Sequence, residues 1–124
     1  MLIKRILLVD DEELILDTYS LLLEENGYTV ITSNCGNKAL EQFLRQSFDL
    51  VITDLYMHDG DGFRLVEEIR ERSPNKPIIA FTGYGRNKSV KAFLSLLGTN
   101  ALIEKSCNNE IFISCVRDSL EKRA

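Results

Sequence analysis

Short apolar runs alternate with amphipathic segments along this chain, and the cycle occurs five times. Arg5-Ile6-Leu7-Leu8-Val9-Asp10 is a continuous apolar run of strand length that ends in acid. From Glu12 to Asn26 the spacing of Leu14, Ile15, Tyr19, Leu22 and Leu23 predicts a helix, stopped by Gly27. Tyr28 to Ser33 is β-branched and strand-like, and Lys38 to Gln46 is helical, with Ala39, Leu40, Phe43 and Leu44 as its stripe. Asp49 to Asp54 is a third strand, followed by a loop at Asp59-Gly60-Asp61-Gly62 and a helix from Phe63 to Arg72 facing inward through Phe63, Val66 and Ile69. Pro77 to Thr82 is a fourth strand, with Pro77 tolerable at its first position. A helix over Lys88 to Leu97 stops at Gly98, Ala101 to Glu104 is a short fifth strand, and a last helix runs from about Asn109 to Lys122 through Phe112, Cys115, Val116 and Leu120.

Helices that alternate with strands carry the chain back across the sheet, so the strands are expected to be parallel. Strands that are apolar throughout, instead of at every second position, imply a sheet covered on both faces. A right-handed, doubly wound α/β sheet follows. The length of 124 residues suits one domain. The last helix is expected to end with the chain, so a single domain over 1–124 without an output domain is expected.

Composition narrows the function. A net charge of −4 lacks the basic footprint of a nucleic-acid binder. No apolar run approaches the roughly 20 residues that cross a bilayer, and Lys4 and Arg5 interrupt the N-terminal run as no signal peptide does. A cytoplasmic protein without a membrane partner is expected. The three cysteines, Cys35, Cys107 and Cys115, have no CxxC spacing and only one histidine accompanies them, which argues against a structural zinc site. They are expected to be reduced and to behave as small hydrophobes.

In an open α/β sheet the site lies beyond the carboxyl ends of the strands, near the switch point. There the first strand brings Asp10 and Asp11, the third Asp54, the fourth Thr82 and the fifth Lys105. Singly, each has a plain explanation: Asp10-Asp11-Glu12 could cap a helix, Asp54 could cap a turn, and Thr82 and Lys105 could be ordinary strand-end residues. Jointly they are a chemical set. Clustered carboxylates suit a hard divalent cation such as Mg²⁺, a carboxylate can act as nucleophile toward phosphorus, and an ammonium with a hydroxyl can bind phosphoryl oxygens.

These residues resemble the receiver domain of two-component response regulators. The resemblance rests on Leu8-Val9-Asp10-Asp11-Glu12, Leu50 to Met57, Asp61-Gly62, Thr82-Gly83, Gly98 and Lys105, and covers nearly the whole chain. It implies a flavodoxin-like sheet in the order 2-1-3-4-5 flanked by five helices. It further implies that Asp54 takes a phosphoryl group from a sensor histidine kinase or phosphotransfer protein. Asp10, Asp11, Asp54 and the Tyr56 carbonyl would hold Mg²⁺, Asp10 partly through water. Thr82 and Lys105 would bind the phosphoryl group, with room left by Gly83. The face of the fourth helix, fifth strand and fifth helix would meet a downstream target or output domain, and is compatible with a homodimer. Such a domain is a phosphoacceptor, not an enzyme beyond Mg²⁺-dependent self-phosphorylation and weak self-dephosphorylation.

Three positions depart from the family pattern. Leu102 stands where an aromatic residue usually precedes the lysine by three, and Ser106 stands where a cis-proline usually follows it. A cis bond before a non-proline residue costs about 3 kcal/mol, so a trans Lys105–Ser106 bond is expected. His58 replaces a loop proline and reads as a solvated residue, since aspartyl-phosphate transfer needs no receiver histidine. Tyr56 and Tyr84 lie where family members flank the path of attacking water, so slow self-dephosphorylation is expected. A haloacid-dehalogenase-like phosphatase would need a second acid where Tyr56 stands. A nucleotide or flavin domain would need a Gly-rich loop where Asp10 and Asp11 stand. The alternative that keeps the same fold is a phosphorylation-independent interaction module.

Overall fold

A computed structural model describes residues 3–58, 62–83 and 88–121, the Lys88 side chain excepted. Five strands, β1 (Arg5–Val9), β2 (Thr29–Ser33), β3 (Leu50–Thr53), β4 (Ile78–Thr82) and β5 (Ala101–Glu104), alternate with five helices. The helices are α1 (Glu13–Glu25), α2 (Gly36–Arg45), α3 (Gly62–Arg72), α4 (Lys88–Leu96) and α5 (Asn109–Glu121). Every pairing is parallel and the sheet order is β2-β1-β3-β4-β5, as expected. Ends agree with the sequence reading to within a residue or two. Gly27 (φ 92°) and Gly98 (φ 66°) follow α1 and α4 in the left-handed region that favours glycine, which explains both stops.

Alternation along the buried strands sends side chains to two cores. Ile6 and Leu8 join Leu50, Ile52, Ile79, Phe81 and Ile103 beneath α1 and α5. Leu7 and Val9 join Val51, Ile78 and Ala80 beneath α2, α3 and α4. The phase of α1 differs from expectation: Leu16, Tyr19 and Leu23 are buried, while Leu14 is 75% exposed. Aliphatic residues at 14–16 and again at 21–23 leave the phase ambiguous in sequence. Tyr19 decides it by packing 4.8 Å from the rings of both Phe81 and Phe112. Leu44, expected on the α2 stripe, is likewise mostly exposed.

All three cysteines are free and half-buried. Cys35 also caps α2, its Sγ accepting from the Lys38 N–H at 3.4 Å. Among the described residues no peptide bond is cis, so Lys105–Ser106 is trans. Among them too, no helix is long and apolar enough to cross a membrane.

Candidate functional site

The sheet order reverses between β1 and β3, and the carboxyl ends of these two strands carry Asp10 and Asp54. The parallel ladder runs one residue past each strand and fixes where these residues sit. The Asp10 N–H donates to Ser33 O (3.1 Å), the Asp54 N–H to Val9 O (2.9 Å) and the Lys105 N–H to Thr82 O (3.1 Å). Three charged residues are thus held by backbone bonds at one edge, independently of their side chains.

Those side chains converge. Lys105 Nζ lies 2.8 Å from Asp10 Oδ2, 3.1 Å from Asp54 Oδ2 and 3.3 Å from Glu12 Oε1. Asp10 and Asp54 are almost fully buried, with side chains 1% and 5% exposed. Burial pushes the Asp10 carboxyl above its ordinary value, opposed by Lys105 and by the Glu12 N–H that donates to Asp10 Oδ1 at 2.9 Å. Burial alone would pull Lys105 down, but Asp10 and Asp54 outweigh it and hold the ammonium above its usual range. The lysine is therefore a fixed positive charge.

Capping accounts for only part of the acidic run: Glu12 is the N-cap of α1 and its own side chain caps no N–H, while Asp10 Oδ1 accepts from the Glu12 N–H and Asp10 Oδ2 faces Lys105. Asp54 does brace the turn that follows, its Oδ1 accepting from the Tyr56 N–H at 3.2 Å. Its Oδ2 faces Lys105.

Asp10, Asp11 and Glu12 each offer a carboxylate oxygen, all within 4.8 Å of one another. Buried Asp10 Oδ2 has the close ammonium as ion-pair partner but no donor aligned on it as a hydrogen bond. An all-oxygen donor set with residual accepting capacity fits a hard divalent cation. Asp54 joins this group through Lys105.

Thr82 is fully buried at the end of β4, and a Cβ at Gly83 would meet nothing within 4 Å, so the space beside Thr82 is open. Tyr56 is 42% exposed, its ring edge-on to Phe63 at 5.4 Å. Tyr84 and Asp61 lie outside the described residues.

Three contributions were not anticipated. Glu12 reaches Lys105, where only a capping role was considered for the acidic run. His58 is exposed as expected, yet its backbone N–H and ring Nδ1 lie 2.9 and 3.0 Å from Asp11 Oδ2. Gly62 opens α3 against the backbone of Asp54: a Cβ there would stand 1.8 Å from Asp54 O. Only that last contact had a sequence signal, a glycine beside the loop that follows the acidic strand.

Comparison with known proteins agrees with this geometry. The profile of the response regulator receiver domain matches residues 6–117. The transcriptional regulatory protein GlrR of Escherichia coli K12 is 33% identical over 119 residues, 96% of this chain and 27% of its own length. The chain thus spans about a quarter of the length of that relative. A CheY-like receiver domain protein from Methanospirillum hungatei superimposes with a TM-score of 0.93 at 29% identity, covering 98% of this chain and 97% of that one. The response regulator TrrA of Thermotoga maritima, solved in complex with Mg²⁺ and BeF, superimposes at 0.85 with 32% identity, covering 94% and 99%.

Proposed function

This chain belongs to the receiver domain family of two-component response regulators, and from that premise we propose that Asp54 is its phosphoryl acceptor. The observation that carries the proposal is the Lys105 ammonium held within 3.1 Å of Asp54 Oδ2 at the switch point. A carboxylate oxygen of Asp54 attacks phosphorus, the bond to the donor's imidazole nitrogen or acetyl oxygen breaks, and an acyl phosphate forms. Lys105 stands beside the oxygen to be modified and can follow the added negative charge without gaining or losing a proton. Thr82 supplies a hydroxyl at the neighbouring strand end.

Asp10, Asp11, Asp54 and the Tyr56 carbonyl would hold Mg²⁺. When bound, the ion supplies neutralisation of phosphoryl charge. The donor is a sensor histidine kinase or a phosphotransfer protein, met in the cytoplasm. The output surface is the face of α4, β5 and α5, where Leu94, Leu102, Ile103 and Ile111 line an open groove. That face would serve an output domain, a downstream target or a second copy.

The protein is incubated with acetyl phosphate and Mg²⁺, and intact mass is read. A gain of one phosphoryl group, absent from Asp54→Ala, is expected. No gain would favour the phosphorylation-independent module instead, and a gain undiminished in Asp54→Ala would remove Asp54 as the acceptor.

A further inference from the structure

An N-cap side chain with an oxygen ordinarily accepts from the first turn of its own helix. Glu12, at the N-cap of α1, does not. Its carboxylate reaches away from the helix to Lys105 Nζ, 3.3 Å from Oε1. The Glu12 backbone is fixed on both sides. Its N–H donates to Asp10 Oδ1 at 2.9 Å, and its carbonyl accepts from the N–H groups of Ile15 and Leu16 at 3.1 and 3.2 Å. The side chain is 62% exposed and can swing from that anchor without unpacking the core.

An ammonium has three hydrogens and accepts nothing. Among the described residues, Lys105 faces three carboxylates with them. Bonds align on Asp54 Oδ2 at 3.1 Å and on Glu12, and Asp10 Oδ2 stands 2.8 Å away. Asp10 and Asp54 cannot withdraw, because each is buried and its backbone N–H is held in the strand ladder. A phosphoryl group on Asp54 brings further charged oxygens to an ammonium whose hydrogens are all engaged. One partner has to yield, and Glu12 is the exposed one. The raised proton affinity of Lys105 comes from Asp10 and Asp54, so the lysine stays charged when Glu12 leaves.

We propose that Glu12 is a positioning residue of the phosphoryl site, whose carboxylate accepts from Lys105 in the resting protein and is displaced by the incoming phosphoryl group. The inference rests on Asp54 as the acceptor and adds a built-in competitor to it. Only hydrogen bonds are exchanged, and Glu12 returns to solvent as a carboxylate. Displacing it costs what an exposed ion pair is worth, so withdrawing it should tighten the phosphoryl group by about 2- to 5-fold. Damage to the fold would weaken that group, so a gain is a readout that a merely structural role does not give.

The test is beryllofluoride affinity at saturating Mg²⁺ in wild type, Glu12→Gln and Glu12→Asp. Aspartate, one methylene shorter, keeps the charge but draws it back from Nζ, whereas glutamine keeps the length without the charge. Both are expected to bind about 2- to 5-fold more tightly than wild type. A gain in Glu12→Gln alone would mean that Glu12 only repels the incoming anion, and the proposal falls. The gain should also vanish in the Lys105→Met background, and one that survives there overturns the proposal as well. So does a loss of about 10-fold in affinity for Mg²⁺ alone in Glu12→Gln, which would make Glu12 a ligand of the cation. Asp54→Ala separates the two readings. Binding lost in Asp54→Ala but equal in wild type and both Glu12 variants sinks this inference alone. Binding undiminished in Asp54→Ala removes Asp54 as acceptor and this inference with it.

Discussion

Lys105 is one ammonium serving three carboxylates, and its removal has a signed pH consequence. Its raised proton affinity in the folded state means that the stability it supplies is complete below about pH 10.4, its unfolded value, and is lost only above. The lysine term in the wild type is therefore flat between pH 5 and 8. In Lys105→Met the Asp10 carboxyl, already raised by burial, rises further because its counter-charge is gone. The native state of the variant then holds a proton that the unfolded chain releases, so its stability falls as pH rises. Stripping one partner from a buried pair costs about 3–5 kcal/mol. Urea unfolding should show such a loss at pH 8 and a smaller one at pH 5; equal losses would contradict the linkage. Gly62 yields a second prediction. A Cβ 1.8 Å from Asp54 O forces α3 and the β3 end apart, so Gly62→Ala should lose about 2–3 kcal/mol and slow modification of Asp54. At Gly83 the same change meets open space, and its unfolding midpoint should match wild type. Tyr56 bears on acyl-phosphate lifetime. Its ring is held by Phe63, so Tyr56→Asn with Tyr84→Glu should open the path for water and shorten the lifetime. Identical decay of wild type and double variant would dismiss the shielding role.

Helix α4 shows an element held at one end. The Arg70 guanidinium of α3 donates to Leu97 O (2.5 Å) and Gly98 O (3.1 Å) at the end of α4. It also donates to Ser73 O (3.0 Å) and Lys76 O (2.8 Å) after α3. One side chain thus satisfies four carbonyls in the segments that follow α3 and α4. Arg70→Gln should therefore speed hydrogen exchange at the amides of Leu97 and Thr99, which bond back to Phe93 and Leu94. Exchange in the core strand β3 should be unchanged. Unaltered exchange at the α4 end would show the clamp to be dispensable. The carbonyl pattern behind this clamp is invisible in sequence, where Arg70 is one arginine on a charged helix. By contrast, β1, β3 and β4 were legible because each carries an unbroken run of three or four apolar residues, the mark of a strand covered on both faces. Phase was the weak point: α1 carries aliphatics on most sides, and only tertiary contact with Phe81 and Phe112 selects Leu16 over Leu14.

For the whole molecule, parallel topology turns distant residues into neighbours. Asp10, Asp54 and Lys105 could be assigned to one edge from sequence because strand ends are countable. The contacts of Glu12 and His58 could not, since each depends on a loop path instead of a strand register. The same topology couples site to fold. The carboxylates sit at the ends of β1 and β3, whose cores lie on both faces of the sheet, so occupying the site stabilises the native state alone. Beryllofluoride with Mg²⁺, which mimics the phosphoryl group, should raise the unfolding free energy by about 2.7 kcal/mol at a hundred-fold excess over its dissociation constant. In Asp54→Ala, where the acceptor oxygens are missing, the gain should shrink to whatever Mg²⁺ gives alone. Stabilisation of equal size in wild type and Asp54→Ala would mean that the ligand acts elsewhere than at the end of β3, and Asp54 would lose its place as acceptor.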